Sequence, residues 1–427
     1  MSANLSVDKN PDIAAWAEAA WNGALEKTAV SPFATPVGLL QVAPRIGFVA
    51  AFANACAVDT DDGLVLVDTS SMFFAQPLFD AVRAFTPRLL HTAIYTHGHV
   101  DHVFGLPPFL AEAGAQGRSV RVIAHRACPE RFDRYRLTRG YNAVINARQF
   151  GFPVPFFPDD FRYPDQTIDR EQRLEIGGVT IDLFHDRGET DDHIWAHLPS
   201  ADALYTGDLF IWASPNCGNP QKVQRYPREW AAALRKMARL DARILMPGHG
   251  PPILGRDRVR QALSDTAALL ETLVDQTMAL LNQGAPLDAV LHGVKMPTEL
   301  LARPYLRASY DDPRFIVRNL YRLYAGWWDG NVANLLPAPE GQVAGEIAAL
   351  VGGVEPLLRR AQALQAAGDL AMAGHLIELA LRATGPTDPH RDAVRAAYRQ
   401  INDARAQKEG SLMAQGIFRF AANSQLE

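Results

Sequence analysis

The decapeptide "THGHVDHVFG", residues 96–105, places three histidines and an aspartate within six positions. The chain has 12 histidines among 427 residues, so a quarter of them lie in this one loop. Two histidines separated by one residue in an extended turn can point at one ion, and Asp101 and His102 can face a second ion beside it. Imidazole and carboxylate ligands with room for water suit zinc, and also manganese or iron. The loop therefore predicts a metal site rather than a set of helix caps.

The composition is that of an ordinary globular protein and excludes several functional classes. Charged residues make up 21% and the formal net charge is -5, which argues against general affinity for nucleic acid or anionic membranes. The three cysteines are odd in number and far apart, as expected for reduced thiols. The sequence shows neither a signal peptide nor a membrane span, so we expect a cytoplasmic protein, or a periplasmic one if a signal was trimmed.

The order of helix-like and strand-like segments predicts two domains. Short strand-like runs alternate with helical ones as far as "GHGPPILG", residues 248–255, which is typical of an α/β domain. Beyond it, leucines at helical spacing predict one long helix over residues 256–283, and the remainder is helical and rich in alanine. We predict a catalytic domain over residues 1–255 and an all-helical domain over residues 256–427.

A loop rich in proline and phenylalanine, "FGFPVPFFPDDF", covers residues 150–161. Its prolines cannot continue a helix or a central strand, and its rings offer apolar surface to whatever lies beneath. One interpretation is a packed surface loop. The other is a lid in which Phe156 and Phe157, together with Trp212, form the apolar side of a substrate pocket.

The H-x-H-x-D-H pattern of the first loop resembles the metallo-β-lactamase superfamily. That resemblance implies an αββα sandwich in which Asp68, in "LVLVDTS", supports the metal site from behind its ligands. It also implies that Asp208, in "ALYTGDLF", bridges two metal ions and that His249, in "MPGHGPP", is the last ligand. The order and spacing of these residues carry the resemblance.

One position departs from the usual superfamily pattern. Glu189, in "RGETDDH", stands where a histidine is usual. This resembles the alkylsulfatase branch, in which two carboxylates nineteen residues apart serve as ligand and bridge, and here 208 − 189 = 19. The stretch "VRNLYRLYAGWWDGNVANLLPAP", residues 317–339, is similar to the start of the alkylsulfatase dimerisation domain, which implies a homodimer. The sterol-carrier-like third domain of that branch is expected to be absent.

The resemblance implies a complete set of ligands for two divalent metal ions, with zinc expected and manganese or iron as alternatives. His97, His99 and Glu189 would hold one ion, Asp101, His102 and His249 the other, and Asp208 would bridge them. The glutamate adds a negative charge that a neutral histidine would not, which predicts a harder site with weaker Lewis acidity. The ions would lower the pKa of a bridging water toward ~7 for attack on the substrate, with Asp101 and His193 as catalytic residues.

The substrate side matches the alkylsulfatases less well. Their sulfate-binding arginine lies in an L-R-G turn that the corresponding stretch, residues 210–226, lacks. Lys222 or Arg225 are the substitutes there, and the stretch "GYNAVINARQFG" adds the sulfate-side candidates Asn142, Asn146 and Arg148. The favoured function is hydrolysis of an alkyl sulfate ester with an apolar chain. The alternatives are hydrolysis of a lactone, thioester or phosphodiester, and a non-catalytic dimeric binding protein.

Overall fold

The computed structural model describes residues 12–25, 35–152 and 154–423. The chain folds into two compact units. The first contains the residues up to Arg139, Pro158–Gln283 and Val290–Tyr324, and the second contains Gly140–Phe157, Gly284–Ala289 and the residues from Ala325 onward. Packing thus divides the chain at other positions than the predicted boundary after residue 255, because the long helix that follows this boundary packs within the first unit.

The first unit contains a seven-stranded sheet in which the strands follow one another in chain order. Its strands are β1 Gly38–Ala43, β2 Ile46–Ala50, β3 Ala55–Thr60, β4 Gly63–Val67, β5 Leu90–Ile94, β6 Arg121–His125 and β7 Gln166–Ile168. Strands β1 to β4 pair antiparallel, whereas β4 to β7 pair parallel. The ends of β4 and β5 therefore meet at the same edge of the sheet, where Asp68 and the histidine loop follow them.

A six-stranded sheet faces the first one within the same unit. Its strands, in the spatial order β13-β12-β11-β10-β9-β8, are β8 Glu171–Ile176, β9 Val179–His185, β10 Ile194–Leu198, β11 Ala203–Ile211, β12 Ile244–His249 and β13 Ile253–Leu254. Apolar side chains from both sheets form one buried cluster, for example Val67 and Ile94 with Ile181 and Met246. This shared core holds the two sheets face to face.

Helices cover the outer side of each sheet. The α-helices of the described residues, in both units together, are α1 Ile13–Trp21, α2 Ala75–Phe85, α3 Val100–Val103, α4 Pro107–Ala115, α5 Cys128–Leu137, α6 Arg139–Phe150, α7 Pro227–Ala238, α8 Arg256–Leu281, α9 Leu287–Gly293, α10 Thr298–Leu301, α11 Pro313–Ala325, α12 Glu340–Leu350, α13 Val354–Ala366, α14 Leu370–Ala383, α15 Arg391–Lys408 and α16 Leu412–Asn423. Helices α2 and α4 pack on the first sheet, and α7 and α8 on the second. The predicted αββα sandwich is confirmed, and α8 confirms the predicted long helix.

The second unit is helical throughout its regular structure, as predicted for the C-terminal region. Helices α12 to α15 bury a core of small and aliphatic side chains that includes Leu357, Ala361, Ile377 and Ile401. Helix α16 approaches α6 closely, since a Cβ added at Gly416 would lie 2.3 Å from the backbone oxygen of Gln149. Among the described residues, no helix combines the length and the apolar character needed to cross a bilayer.

Candidate metal centre

The predicted ligands meet at one edge of the αββα sandwich. His97, His99 and the short helix α3, with Asp101 and His102, follow strand β5. Glu189 lies in the loop between β9 and β10, Asp208 lies on β11, and His249 ends β12. Seven side chains from four separate segments thus converge because the strands that carry them end at this edge.

The first group of ligands consists of His97, His99, Glu189 and Asp208, whose ligand atoms all lie within 4.8 Å of one another. His97 Nε2 is 2.8 Å from His99 Nδ1, 3.8 Å from Glu189 Oε2 and 3.8 Å from Asp208 Oδ2. Such a spacing of ring nitrogens and carboxylate oxygens is what a single cation requires of four ligands.

The second group consists of Asp101, His102 and His249, also within 4.8 Å of one another. His249 Nε2 is 3.5 Å from Asp101 Oδ2, and His102 Nε2 is 3.9 Å from the same oxygen. Asp208 Oδ1 lies 3.3 Å from His102 Nε2 and 3.4 Å from His249 Nε2, whereas its Oδ2 faces the first group. Asp208 therefore stands between the two groups with one oxygen toward each, as a bridging carboxylate would.

Unpaired buried atoms show that the two groups fit metal ions. His102 Nε2, Glu189 Oε2 and Asp208 Oδ1 are buried without a hydrogen-bond partner among the described residues. Buried polar atoms are rarely left unpaired, and all three of these point into the cluster. Nitrogen and oxygen donors without sulfur suit a divalent cation of the zinc, manganese or iron type.

Electrostatics differ between the two groups. Burial, reinforced by neighbouring positive charge, holds the pKa values of His97 and His99 well below the ordinary value, so both rings are neutral and able to bind a metal. Burial acts to lower the pKa of His102 as well, but Asp208 and Asp68 outweigh it and raise this pKa well above its ordinary value. The carboxylates that attract protons to the second group would equally attract a cation.

Asp68 lies behind the second group, in contact with His102. It is fully buried, and its Oδ2 lies 2.8 Å from His102 Nδ1. Its oxygens also accept hydrogen bonds from the Thr96 backbone N–H, the Thr96 hydroxyl and the Tyr205 hydroxyl. The contact to Nδ1 leaves Nε2 of His102 available to a metal. Asp68 has a φ of 60°, a left-handed conformation that few non-glycine residues adopt.

His249 is held by backbone groups. Its Nδ1 lies 2.7 Å from the backbone oxygen of Phe52. Asn54 donates to the backbone oxygens of Pro247 and Gly250 on either side of it, at 2.9 and 2.8 Å. The loop that carries His249 is thus fastened to the turn between β2 and β3.

A buried ion pair, which no sequence motif predicts, holds the loop of the first group. Asp192 is fully buried and accepts a hydrogen bond of 2.9 Å from the backbone N–H of Gly98, between His97 and His99. Its other oxygen accepts from Arg131 Nε at 2.7 Å. Asp192 follows Glu189 by three residues. The turn that carries both residues therefore positions the proposed ligand Glu189 and also holds the histidine loop at Gly98.

The predicted catalytic role of His193 is not supported by its position. The side chain is fully buried, its ring stacks on that of His97 with centroids 4.8 Å apart, and its Nε2 accepts from the backbone N–H of Asp208 at 3.1 Å. Burial lowers the pKa of His193 to about 3. His193 therefore positions His97 and Asp208, whereas Asp101, with 24% of its side chain exposed, lies at the open side of the cluster.

The two basic residues predicted to bind sulfate have different surroundings. Arg225 is buried and donates to Glu189 and to the backbone oxygen of Asn216, so it is not exposed to a substrate. Lys222 is half-buried. Burial and Arg225 lower the pKa of Lys222 to about 8, whereas the negative charges of Asp101 and Glu189 act to raise it.

Trp212 is a packing residue rather than a pocket wall. Only 3% of it is exposed, and its indole N–H donates to the backbone oxygen of Pro251 at 2.6 Å. A Cβ added at Gly250 would lie 2.4 Å from the indole, so the ring supports the turn beside His249. The buried position of Trp212 therefore contradicts its predicted place in the apolar wall of the substrate pocket.

The remaining predicted substrate residues lie in the second unit, so their roles toward the cluster stay predictions. Asn142, Asn146 and Arg148 are on α6, where the Arg148 guanidinium lies 5.2 Å from the centre of the Phe420 ring. Phe157 is buried, but Phe156 is 51% exposed and offers its ring to solvent. Of the two phenylalanines, only Phe156 keeps an accessible apolar surface.

Tyr310 is a further residue near the cluster, and its sequence context gave no signal. Burial raises the pKa of its hydroxyl well above the ordinary value, and the carboxylates of Asp101 and Glu189 add to this effect. Tyr310 belongs to the first unit, although it lies in the region predicted to be part of the helical domain. Both carboxylates precede Tyr310 by more than a hundred residues in the chain, so their effect on it depends on tertiary packing.

Comparison with known families supports the same interpretation of the site. Residues 50–249 match the metallo-beta-lactamase superfamily, and residues 287–427 match the alkyl sulfatase dimerisation domain. Together, the two matches support the predicted resemblance to the alkylsulfatase-like branch of the metallo-β-lactamase superfamily.

Two Pseudomonas proteins are among the relatives of this chain. A linear primary-alkylsulfatase is 26% identical over 374 residues, which cover 81% of this chain and 70% of that protein. An (R)-specific secondary-alkylsulfatase is 27% identical over 363 residues, 78% of this chain and 54% of the relative. The chain thus spans between about half and 70% of the length of these relatives.

A solved structure shows the same fold. The stereoselective inverting sec-alkylsulfatase of Pseudomonas sp. superposes with a TM-score of 0.80 at 24% identity, covering 91% of this chain and 65% of that one. The likeness of fold covers most of this chain and includes residues of both of its units.

Proposed function

We propose that the chain is a binuclear metal-dependent hydrolase that cleaves alkyl sulfate esters. The observation that carries this proposal is the arrangement of Glu189 and Asp208, nineteen residues apart, around the shared cluster (208 − 189 = 19). That spacing is typical of the alkylsulfatase branch, and four curated relatives are named as sulfatases of alkyl esters.

The seven clustered side chains are the proposed ligands of two divalent ions, with zinc preferred over manganese or iron. His97, His99 and Glu189 would hold one, Asp101, His102 and His249 the other, with Asp208 shared. When bound, such ions lower the pKa of a water toward ~7 and stabilise negative charge on the leaving group. A chelator should therefore remove both metal and activity, and it should lower the melting temperature because the unpaired buried atoms are left without a partner.

The residues of the chain itself orient the substrate at the open side of the cluster. Its exposed members are His99, Asp101 and His249, with 18, 24 and 12% of their side chains accessible. Asp101 is the proposed proton acceptor there. Lys222 supplies the positive charge, and Tyr310 the hydroxyl donor, for the sulfate group. The ammonium group of Lys222 is a compact point charge, whereas the guanidinium of an arginine can donate two parallel hydrogen bonds. Lys222 should therefore bind sulfate more weakly than an arginine would.

The test is an assay of the metal-loaded protein against alkyl sulfates, lactones, thioesters and phosphodiesters. Alkyl sulfates should be the only good substrates. Lys222→Gln should raise KM for them by about tenfold or more, since it removes a charge-assisted hydrogen bond. The exposed Lys295 of the same unit provides the control, and Lys295→Gln should leave KM unchanged. Preferential turnover of a thioester or phosphodiester would replace the proposed substrate class.

The apolar chain of the substrate is proposed to contact Phe156. Phe156→Ala should weaken binding of long-chain alkyl sulfates more than of short ones, because a long chain buries more apolar surface. Phe157→Ala is the contrasting variant: its buried side chain predicts a loss of stability of roughly 3–5 kcal/mol without a dependence on chain length. Equal effects of Phe156→Ala on all chain lengths would reject the contact.

We also propose that the chain is a homodimer built by the dimerisation domain. The second unit exposes several large apolar side chains, including Trp327 at 73%, Leu336 at 90% and Leu350 at 85%. Exposed apolar groups on this scale are typical of protein interfaces. Light scattering at micromolar concentration should give twice the chain mass, and Leu336→Asp should shift it toward the monomer. A monomeric wild-type chain would contradict the proposal.

A further inference from the structure

The two oxygens of Glu189 have different partners. Oε1 accepts hydrogen bonds from the Arg225 guanidinium and from Asn216 Nδ2, the latter at 2.6 Å. Oε2 has no hydrogen-bond partner among the described residues and lies 3.8 Å from His97 Nε2 and 3.7 Å from His99 Nδ1. Only one oxygen of this carboxylate is therefore available to the first ligand group.

Glu189 is the principal ionic partner of Arg225. Both side chains are almost fully buried, at 2% and 3% exposure. Asp311 is the other acidic residue that acts on Arg225. However, Asp311 accepts hydrogen bonds from the backbone N–H groups of Gly218 at 2.8 Å and Asp312 at 2.9 Å, which hold it in place. A buried guanidinium without its carboxylate is costly, so Arg225 and Glu189 depend on each other.

The backbone at Arg225 is held independently of Glu189. Asn319, on α11, donates from Nδ2 to the Arg225 backbone oxygen at 3.0 Å and accepts from Gln224 Nε2 at 2.8 Å. These bonds do not involve the metal cluster. Arg225 should therefore stay where it is when residue 189 is changed, and its charge should remain beside the first ligand group.

We propose that Arg225 is a positioning residue that fixes Glu189 and cancels its charge, so that the buried pair presents a single, electrically compensated oxygen to the first ion. This inference rests on the proposed metal centre. It corrects the expectation that Glu189 adds an uncompensated negative charge where other superfamily members have histidine. The charges of one carboxylate and one guanidinium sum to zero, which is also the charge of a neutral imidazole. The pair, rather than the glutamate alone, is then the counterpart of that histidine.

The consequence is that the two residues can be exchanged only together. Glu189→His supplies a ligand but leaves Arg225 buried, unpaired and beside a dication, so the first ion should be bound poorly. Arg225→Met leaves the Asn216 hydrogen bond as the remaining contact of Glu189 Oε1, and this loss of positioning should also weaken binding. In the double variant Glu189→His/Arg225→Met, a neutral ligand faces an apolar neighbour, and binding should recover.

The experiment measures metal content and folding for the wild type, both single variants and the double variant. Each single variant should bind the first ion about tenfold or more weakly, the range found for residues that orient metal ligands, while the double variant regains it. Metal content by mass spectrometry after dialysis against a weak chelator gives the number of ions per chain. Near-ultraviolet circular dichroism shows whether each variant is folded.

Two further variants keep the test decisive. Arg225→Lys retains the charge and should keep more of the first ion than Arg225→Met, which covers the case in which the methionine variant does not fold. Arg235→Met breaks an arginine–glutamate pair between α7 and α8 and should leave metal content unchanged. A double variant no better than the poorer single variant, or single variants with wild-type metal content, would overturn the inference. A wild-type chain that binds no metal would instead overturn the proposed centre.

Discussion

The two ligand groups are held by different kinds of contact. Around the first, the supports are buried charge pairs: Arg225 with Glu189, and Arg131 with Asp192. Around the second, His249 is held by the backbone oxygen of Phe52, and His102 by Asp68, which in turn accepts from neutral donors. An arginine left without its carboxylate keeps its charge, whereas a histidine can give up its proton, so breaking a contact of the second group leaves a smaller defect. The first group should therefore be the more vulnerable to substitution.

The largest effect is expected from Glu189→Ala. The substitution removes a ligand and leaves the Arg225 charge beside the vacated position, so metal content should fall from two ions per chain to about one and turnover should be lost. The fold should survive, because the sheets and their shared core are untouched. Elemental analysis and an activity assay on the same sample test this. A variant with both ions and near-full activity would make Glu189 a mere structural residue.

Next in size is the effect of Asp192→Ala on stability. Among the described residues, the substitution leaves Arg131 with Asp191, which is half-exposed, as its remaining carboxylate partner, and it removes the acceptor of the Gly98 backbone N–H. Breaking such a buried pair should destabilise the metal-free protein by about 3 kcal/mol, measured by urea unfolding. It should also lower occupancy of the first group more than of the second. Asp182→Ala, which breaks a pair with Arg173 on β8 and β9, is the control and should cost less than about 1 kcal/mol. Equal losses in the free energy of unfolding for Asp192→Ala and Asp182→Ala would contradict the expected difference between these two ion pairs.

Asp68→Asn should show a smaller effect, confined to the second group. The amide keeps one acceptor but loses the charge beside His102 Nδ1, so affinity for the second ion should drop by roughly 10- to 100-fold. Competition with a chromophoric chelator gives the two affinities separately. If the first ion were lost instead, the assignment of Asp68 to the second group would be wrong.

The smallest effect is expected from Trp212→Phe. The variant keeps the ring beside Gly250 and loses only the hydrogen bond to Pro251, at a cost of about 1 kcal/mol in the free energy of unfolding. Metal content should stay at the wild-type value. KM should be unchanged for alkyl sulfates of every chain length, because the ring is buried. A loss of long-chain binding alone would return Trp212 to the substrate pocket.

Much of the centre was predictable because its strongest signal is local. Four ligands lie within six residues, and their types and spacing hardly depend on the rest of the fold. Glu189, Asp208 and His249 were then found through resemblance, since each follows or occupies a strand whose end is fixed by the αββα topology. The long helix over residues 256–281 was predictable from its leucine spacing for the same reason: the pattern is contained in one element.

Residues that act through tertiary contacts were predicted less well. Arg225 and His193 carry side chains suited to sulfate binding or catalysis. The sequence does not show that Arg225 pairs with a buried carboxylate, or that His193 accepts a hydrogen bond from a backbone N–H. Trp212 was predicted to line the pocket because the sequence does not show whether a tryptophan side chain is buried or exposed. Tyr310 and Asp192 carried no motif at all.

The sequence by itself determined which donors the chain offers to metal ions, because ligand chemistry is a property of residue type and short-range spacing. Only the tertiary structure decided the charge that those donors present. Arg225 lies 36 positions from Glu189 (225 − 189 = 36), and Asn319, on a helix assigned by sequence to another domain, holds its backbone in place. Burial then makes the pairing strong, since a charge removed from water must find its partner in the protein.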